Sequence, residues 1–164
     1  MRILGIDPGI AIMGYGVVEF DGNKVKVIEN GVVTTSSKTK TPERLSILYD
    51  NLNDIIKEFK PDEFAIEELF FNQNVKTAIT VGHARGIQIL SAQENNLPIY
   101  EYTPLQIKQA VTGYGRASKS QMQKTVTTLL GLKEIPKPDD AADALSVALC
   151  HALSQKFKEN FRMN

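Results

Sequence analysis

The chain has 164 residues, 42% of them hydrophobic and 23% charged, and its 19 Lys and Arg balance 19 Asp and Glu. This composition is that of a folded globular chain, not by default a disordered one, and the length suits one domain that buries roughly two thirds of its unfolded surface. No run of about 18 apolar residues is present to span a bilayer.

Arg2–Asp7 is predicted as the first strand; it breaks too early, at Asp7-Pro8-Gly9, to be a signal peptide. Gly14–Phe20 is the second, turning through Asp21-Gly22-Asn23 into a third, Lys24–Thr35. After a polar loop, Leu45, Leu48, Leu52, Ile55, Ile56 and Phe59 recur at helical spacing. Thr41 reads as its N-cap, Pro42 as a first-turn proline, and Pro61 as its stop. Glu63–Glu67 is then a strand entered from a helix, which implies a right-handed crossover and parallel pairing.

A long helix is predicted from Val75 to Asn95 and a short strand over Pro98–Tyr102. Thr103-Pro104 opens a helix to about Val111, and Gly113 and Gly115 break the chain there. Ser118 with Gln121 is a capping-box pattern for a helix to Leu130. Pro136-Lys137-Pro138 enforces an extended entry into the last helix, Asp139 to about Gln155, and a flexible tail is expected over residues 156–164. The order β-β-β-α-β-α-β-α-α-α predicts one α/β domain over residues 1–155. Its five-stranded sheet is mixed and carries helices on both faces. The first strand is then central and beside the fourth.

Cys150 lies in an apolar helix without a partner for an internal disulfide, which fits a core thiol in a reducing, cytoplasmic setting. Charge is uneven along the chain. From Leu69 to Lys133 seven bases face two acids, Glu94 and Glu101, so a neutral protein has one basic half suited to phosphate.

Four carboxylates carry the chemistry. Asp7 ends the run Ile3-Leu4-Gly5-Ile6, Glu67 ends Phe64-Ala65-Ile66, and Asp140 and Asp143 share a face at the start of an Ala-rich helix. An acid at the end of an apolar strand must meet water, a cation or a ligand, because burying it unpaired is costly. Converging, they make an all-oxygen site suited to Mg²⁺ or Mn²⁺. Two such cations about 4 Å apart can activate water, stabilise a pentavalent phosphorus and hold the leaving oxygen in phosphodiester hydrolysis. Asp7 is best placed to bridge them, with Glu67 completing one and the helical pair the other. Asp139 also shares a face with Asp143, and first-turn acids are explained by the helix dipole as well, so Asp139 and Asp140 remain alternatives.

The blocks ILGIDPG…GYGV, FAIEELFF, GHARG, KQAVTGYGRASKSQMQ and DDAADALSVA resemble, in order and spacing, the bacterial RuvC-type Holliday junction resolvases over about Met1 to Gln155. The resemblance implies an RNase H-like fold, a homodimer and Mg²⁺-dependent paired nicks placed symmetrically across a four-way DNA junction during recombination and repair. It implies an acidic tetrad of Asp7, Glu67, Asp140 and Asp143, its DAAD spacing selecting Asp140, and a branch-migrating helicase complex as partner. It further implies that Phe70 contacts the junction, with Phe71 as apolar support, and that Lys108 and Lys119 contact DNA. Arg116, between those lysines, is added to the phosphate-binding set because bases near helix N-termini hold phosphates.

Gly82 and Gly86 within the long helix suggest close approach of another backbone, on a face with Ala78, Val81, Arg85 and Ile89. With the implied two-fold symmetry this helix is the expected dimer interface. His83 and His151 are read as structural or surface residues. Among rivals, an actin-like ATPase would need a second domain and a second Gly-rich phosphate loop, and a catalytically dead module would lack one of the acids. Another RNase H-like nuclease stays open.

Overall fold

Three strands joined by tight turns open the chain in the computed structural model, which describes residues 1–69 and 75–163, with backbone alone for 75–77. They are β1 (Arg2–Asp7), β2 (Ile12–Phe20) and β3 (Val25–Thr34). Then come α1 (Thr41–Phe59), β4 (Glu63–Glu67), α2 (Val75–Glu94), β5 (Ile99–Tyr102), α3 (Pro104–Thr112), α4 (Lys119–Leu129) and α5 (Asp139–Leu153). The sheet runs β3-β2-β1-β4-β5, with β1–β2 and β2–β3 antiparallel and β1–β4 and β4–β5 parallel. This is the expected mixed five-stranded sheet.

Alternation along the strands sends side chains to two cores. Leu4, Ile6, Phe64 and Ile66 face α1 and α2, while Ile3, Ala65, Tyr100 and Tyr102 face α3, α4 and α5. No described helix is long and apolar enough to cross a membrane. Cys150 is buried, as expected of a core thiol.

Two caps follow the sequence reading closely. Thr103 and Gln106, and Ser118 and Gln121, each form a reciprocal capping box, which satisfies orphan N–H groups at the starts of α3 and α4. The start of α1 differs by one residue. Lys40 is the extended N-cap, Thr41 the first helical residue, and no side chain caps the end. Pro42 fits there because the first turn leaves its missing N–H unneeded.

Helix α5 lies directly on the sheet, and glycines make that possible. A Cβ on Gly5 would stand 2.6 Å from the Ala148 nitrogen, and one on Gly14 would stand 2.6 Å from the Asp140 carbonyl carbon. Any side chain at either place would lift the helix.

The expected flexible tail is instead folded as far as Met163. Gln155–Phe161 forms 3₁₀ turns, Lys158 pairs with Glu63, the Phe161 ring lies 4.8 Å from that of Tyr102, and Arg162 bridges Tyr100. A buried acid at the start of β4 and an aromatic edge on β5 hold it, neither of which local sequence near residue 156 reveals.

Candidate active site

Parallel pairing of β1 and β4 sets Ile6 opposite Ile66, so Asp7 and Glu67, next on each strand, leave the sheet at the same rim. The first turn of α5 reaches that rim over β2, with the Asp140 backbone pressed on Gly14 and Gly14 paired with Asp7. Three distant segments thus meet at one edge of the sheet.

Electrostatics at the rim is adverse. Burial, then the charges of Glu67, Asp143 and Asp140, push the Asp7 carboxyl up to about 8. Burial and Asp143 raise Glu67 to about 7, against the pull of Lys108 and Lys119. Burial also raises Asp143, partly offset by Lys119. The acids are near enough to oppose one another's ionisation.

Lys119 answers part of that charge. Its ammonium lies 2.5 Å from Asp139 Oδ2 and 3.1 Å from Asp143 Oδ2, and those contacts raise its pKa. Asp139 is exposed, and Lys119 holds its pKa below the ordinary value, whereas Asp140 is half-buried. A cleft of about 260 Å³ opens beside the acids, lined by Glu67, Lys108, Lys119, Met122, Asp143 and Ser146. Both lysines read from the sequence therefore border it. Arg116 is exposed in the α3–α4 connection and is not among the described residues lining the cleft. Phe70 and Phe71 lie outside the described residues.

Among the described residues, no group of three or more His, Cys, Asp or Glu side chains is posed on one metal position. The donor set nevertheless fits a hard divalent cation. It is all oxygen, partly buried, and repulsive in a way that a cation would relieve.

Arg85 was expected on the outward face of α2, and the structure turns it inward. Its Nε donates to the Glu67 carbonyl at 3.2 Å and its Nη2 pairs with Glu101 Oε2 at 2.7 Å. Its helical neighbours Ala84 and Gln88 are fully buried, which sets the inner face of the helix. Ile79, Gly82, His83, Gly86 and Leu90 form the outer face instead. His151 is structural, as read. It is buried at the other end of the sheet, hydrogen-bonded to Glu63 Oε2 and the Tyr102 hydroxyl, each at 2.7 Å.

Comparison with known proteins gives a consistent picture. Residues 3–151 match the family model described as crossover junction endodeoxyribonuclease RuvC. A crossover junction endodeoxyribonuclease RuvC of Finegoldia magna is 64% identical, covering 96% of each chain. That of Alkaliphilus oremlandii is 60% identical over 99% of each. Thermus thermophilus RuvC, solved in complex with a Holliday junction substrate, superposes with a TM-score of 0.90 at 35% identity, covering 99% of this chain and 100% of that one.

Proposed function

The chain belongs to the RuvC family of crossover junction endodeoxyribonucleases, and from that premise we propose that it resolves four-way DNA junctions by paired, symmetric, metal-dependent phosphodiester hydrolysis in recombination and repair. The observation that carries the reading is the adverse cluster at the rim, where burial and neighbouring carboxylates raise Asp7 to about 8 and Glu67 to about 7. A fold does not hold such a cluster for stability, and perturbed acids beside a cleft are the mark of a working site.

Asp7, Glu67, Asp140 and Asp143 would hold Mg²⁺, with Mn²⁺ able to substitute and two ions per site. Bound there, the ions supply water activation and neutralise charge on the phosphate. The side chains of this protein do the rest. The four carboxylates would supply the oxygen ligands, and Lys108 and Lys119 at the cleft would draw the phosphate backbone inward. Lys119 pairs with both Asp139 and Asp143, so with Asp143 engaged as a cation ligand it would still have Asp139 as an anchor and would be able to donate to a phosphate oxygen. Arg116 would add a contact further along the strand. Phe70 would stack on or wedge against an unpaired base at the branch point.

The homodimer would form through α2. Its outer face exposes Ile79 by 56% and Leu90 by 49%, and a Cβ added at Gly82 or Gly86 meets nothing within 4 Å. Such a face lets a second backbone approach, and a two-fold pairing would present two rims to the two symmetric strands of a junction. The nuclease unit is taken as residues 1–155, working in the cytoplasm with a branch-migrating helicase complex, as family resemblance suggests.

The test is incubation with Mg²⁺ and, separately, a mobile synthetic junction, a plain duplex and an RNA–DNA hybrid. Symmetric paired nicks in the junction are expected. Cleavage of the hybrid alone would overturn the proposal.

A further inference from the structure

Glu67 is the last residue of β4, where the sheet ladder ends. The following N–H, of Glu68, donates to the Tyr102 carbonyl at 2.8 Å. The Glu67 carbonyl itself accepts from Arg85 Nε at 3.2 Å. The same guanidinium pairs through Nη2 with Glu101 Oε2 at 2.7 Å. In the parallel register Ile66 faces Glu101 and Glu67 faces Tyr102, so one side chain of α2 grips two neighbouring strand ends.

The grip is firm for two reasons. The Arg85 side chain is only 17% exposed, so solvent competes weakly for its donors. A planar guanidinium also fixes the relative position of two acceptors, which a flexible ammonium does not. The direction of approach matters as well. Phe64 and Ile66 face α1 and α2, and Ala65 faces the α5 side. By alternation the Glu67 carboxylate leaves on the α5 side, where the cleft residues Lys119 and Asp143 lie. Arg85 holds the Glu67 backbone from behind, out of the way of whatever the carboxylate binds.

We propose that Arg85 is a positioning residue for Glu67, setting the depth at which that carboxylate meets a divalent cation, and that Glu101 sets the orientation of Arg85. This rests on the reading of Glu67 as a cation ligand. Groups one shell out from a metal ligand typically change metal affinity or activity by about 10- to 100-fold when removed.

The test compares Glu67→Gln, Arg85→Met, Arg85→Lys and Glu101→Gln, measuring Mn²⁺ binding to the protein alone by electron paramagnetic resonance alongside junction nicking against Mn²⁺ concentration. Arg85→Met is expected to need about 10- to 100-fold more Mn²⁺ for half-saturation. Arg85→Lys should recover part of that loss by restoring one donor, and Glu101→Gln should show a smaller shift. Parent-like Mn²⁺ affinity in Arg85→Met, with affinity lost in Glu67→Gln, overturns the positioning role and leaves the ligand reading intact. Parent-like Mn²⁺ binding and nicking in Glu67→Gln instead overturn the ligand reading, and this proposal with it. Should Arg85→Met fail to fold, Glu101→Gln decides alone, and an unchanged affinity there overturns the proposal.

Discussion

Glu63 and Glu67 stand at the two ends of one five-residue strand, on the same face of the same sheet, and their surroundings treat them in opposite ways. Burial pushes both carboxyls up. At Glu63 that push is outweighed by hydrogen bonds from Lys158, His151 and Gln155, which bring its pKa below the ordinary value. At Glu67 the next influence is the like charge of Asp143, and the pKa climbs to about 7. Desolvation is common to the two; the sign of the neighbours is what differs. One end of β4 is built to be stable. The other is left among like charges, where the proposed divalent cation would add stability.

The largest expected effect comes from removing the repulsion. Asp7→Asn should abolish junction nicking in a gel assay while leaving junction binding in place. Asp7 titrates near 8 when folded against an ordinary 3.8, so its ionisation opposes folding progressively as pH rises through that interval. The variant should therefore melt higher than the parent at pH 8, and the gap should close toward pH 4. Mg²⁺ should raise the melting temperature of the parent alone, by about 2.7 kcal/mol of stability at a hundredfold excess over its dissociation constant. Normal nicking by Asp7→Asn would break the comparison on its functional side.

Next in size is the opposite end. Glu63→Ala leaves the buried His151 and the Lys158 ammonium without their partner. The cost should be about 3 kcal/mol, or roughly 10 °C in calorimetry. Nicking per folded molecule should be little changed. Loss of nicking without loss of stability would show that the two ends are not separate in purpose.

A smaller effect is expected in the pH profile of the parent. Burial keeps His151 below its ordinary 6.5, and Glu63 lies below its ordinary 4.5. Both then contribute stability that is complete above those ordinary values. It is lost as pH falls below them toward the lower folded ones, the loss setting in below 6.5 for His151 and below 4.5 for Glu63. Lys158 is raised above 10.5, so its share is lost only as pH climbs through that higher folded value. Urea melts from pH 3 to 8 should show an acid limb; in Glu63→Ala the part below 4.5 disappears, and the part below 6.5 steepens because Glu63 no longer holds the His151 pKa up.

The smallest effect is assigned to Asp139→Asn. Its pair with Lys119 is exposed, with side chains 49% and 56% accessible, and such pairs contribute little. Melting and nicking should stay near the parent, whereas Asp140→Asn should stop nicking. The reverse result would make Asp139 the ligand.

Much of the site was legible because strand ends are. An apolar run closed by an acid says where β1 and β4 stop, and the helix crossover says that they lie side by side. The caps at Thr103 and Ser118 were legible because they are local, three residues wide. What escaped was long-range. Glu63 and His151 are 88 residues apart, and nothing near either announces the other. Arg85 was assigned to the wrong face of α2 because small and aliphatic residues occur all around that helix, so periodicity could not choose. Lys119 was read as a phosphate contact, and the structure adds its pairing with Asp139 and Asp143 across the α4–α5 junction. Phe70, the one aromatic expected at the junction, falls outside the described residues.

Gly14 beneath the Asp140 carbonyl has a wider consequence. Because main chain rests on main chain there, the gap between the first acid and the last two behaves as a dimension cast into the scaffold, not a slack joint between rotamers. Warming cannot widen it by degrees. Cutting power should persist undiminished until α5 lifts off the sheet as a body, and then vanish in the same step as the fold.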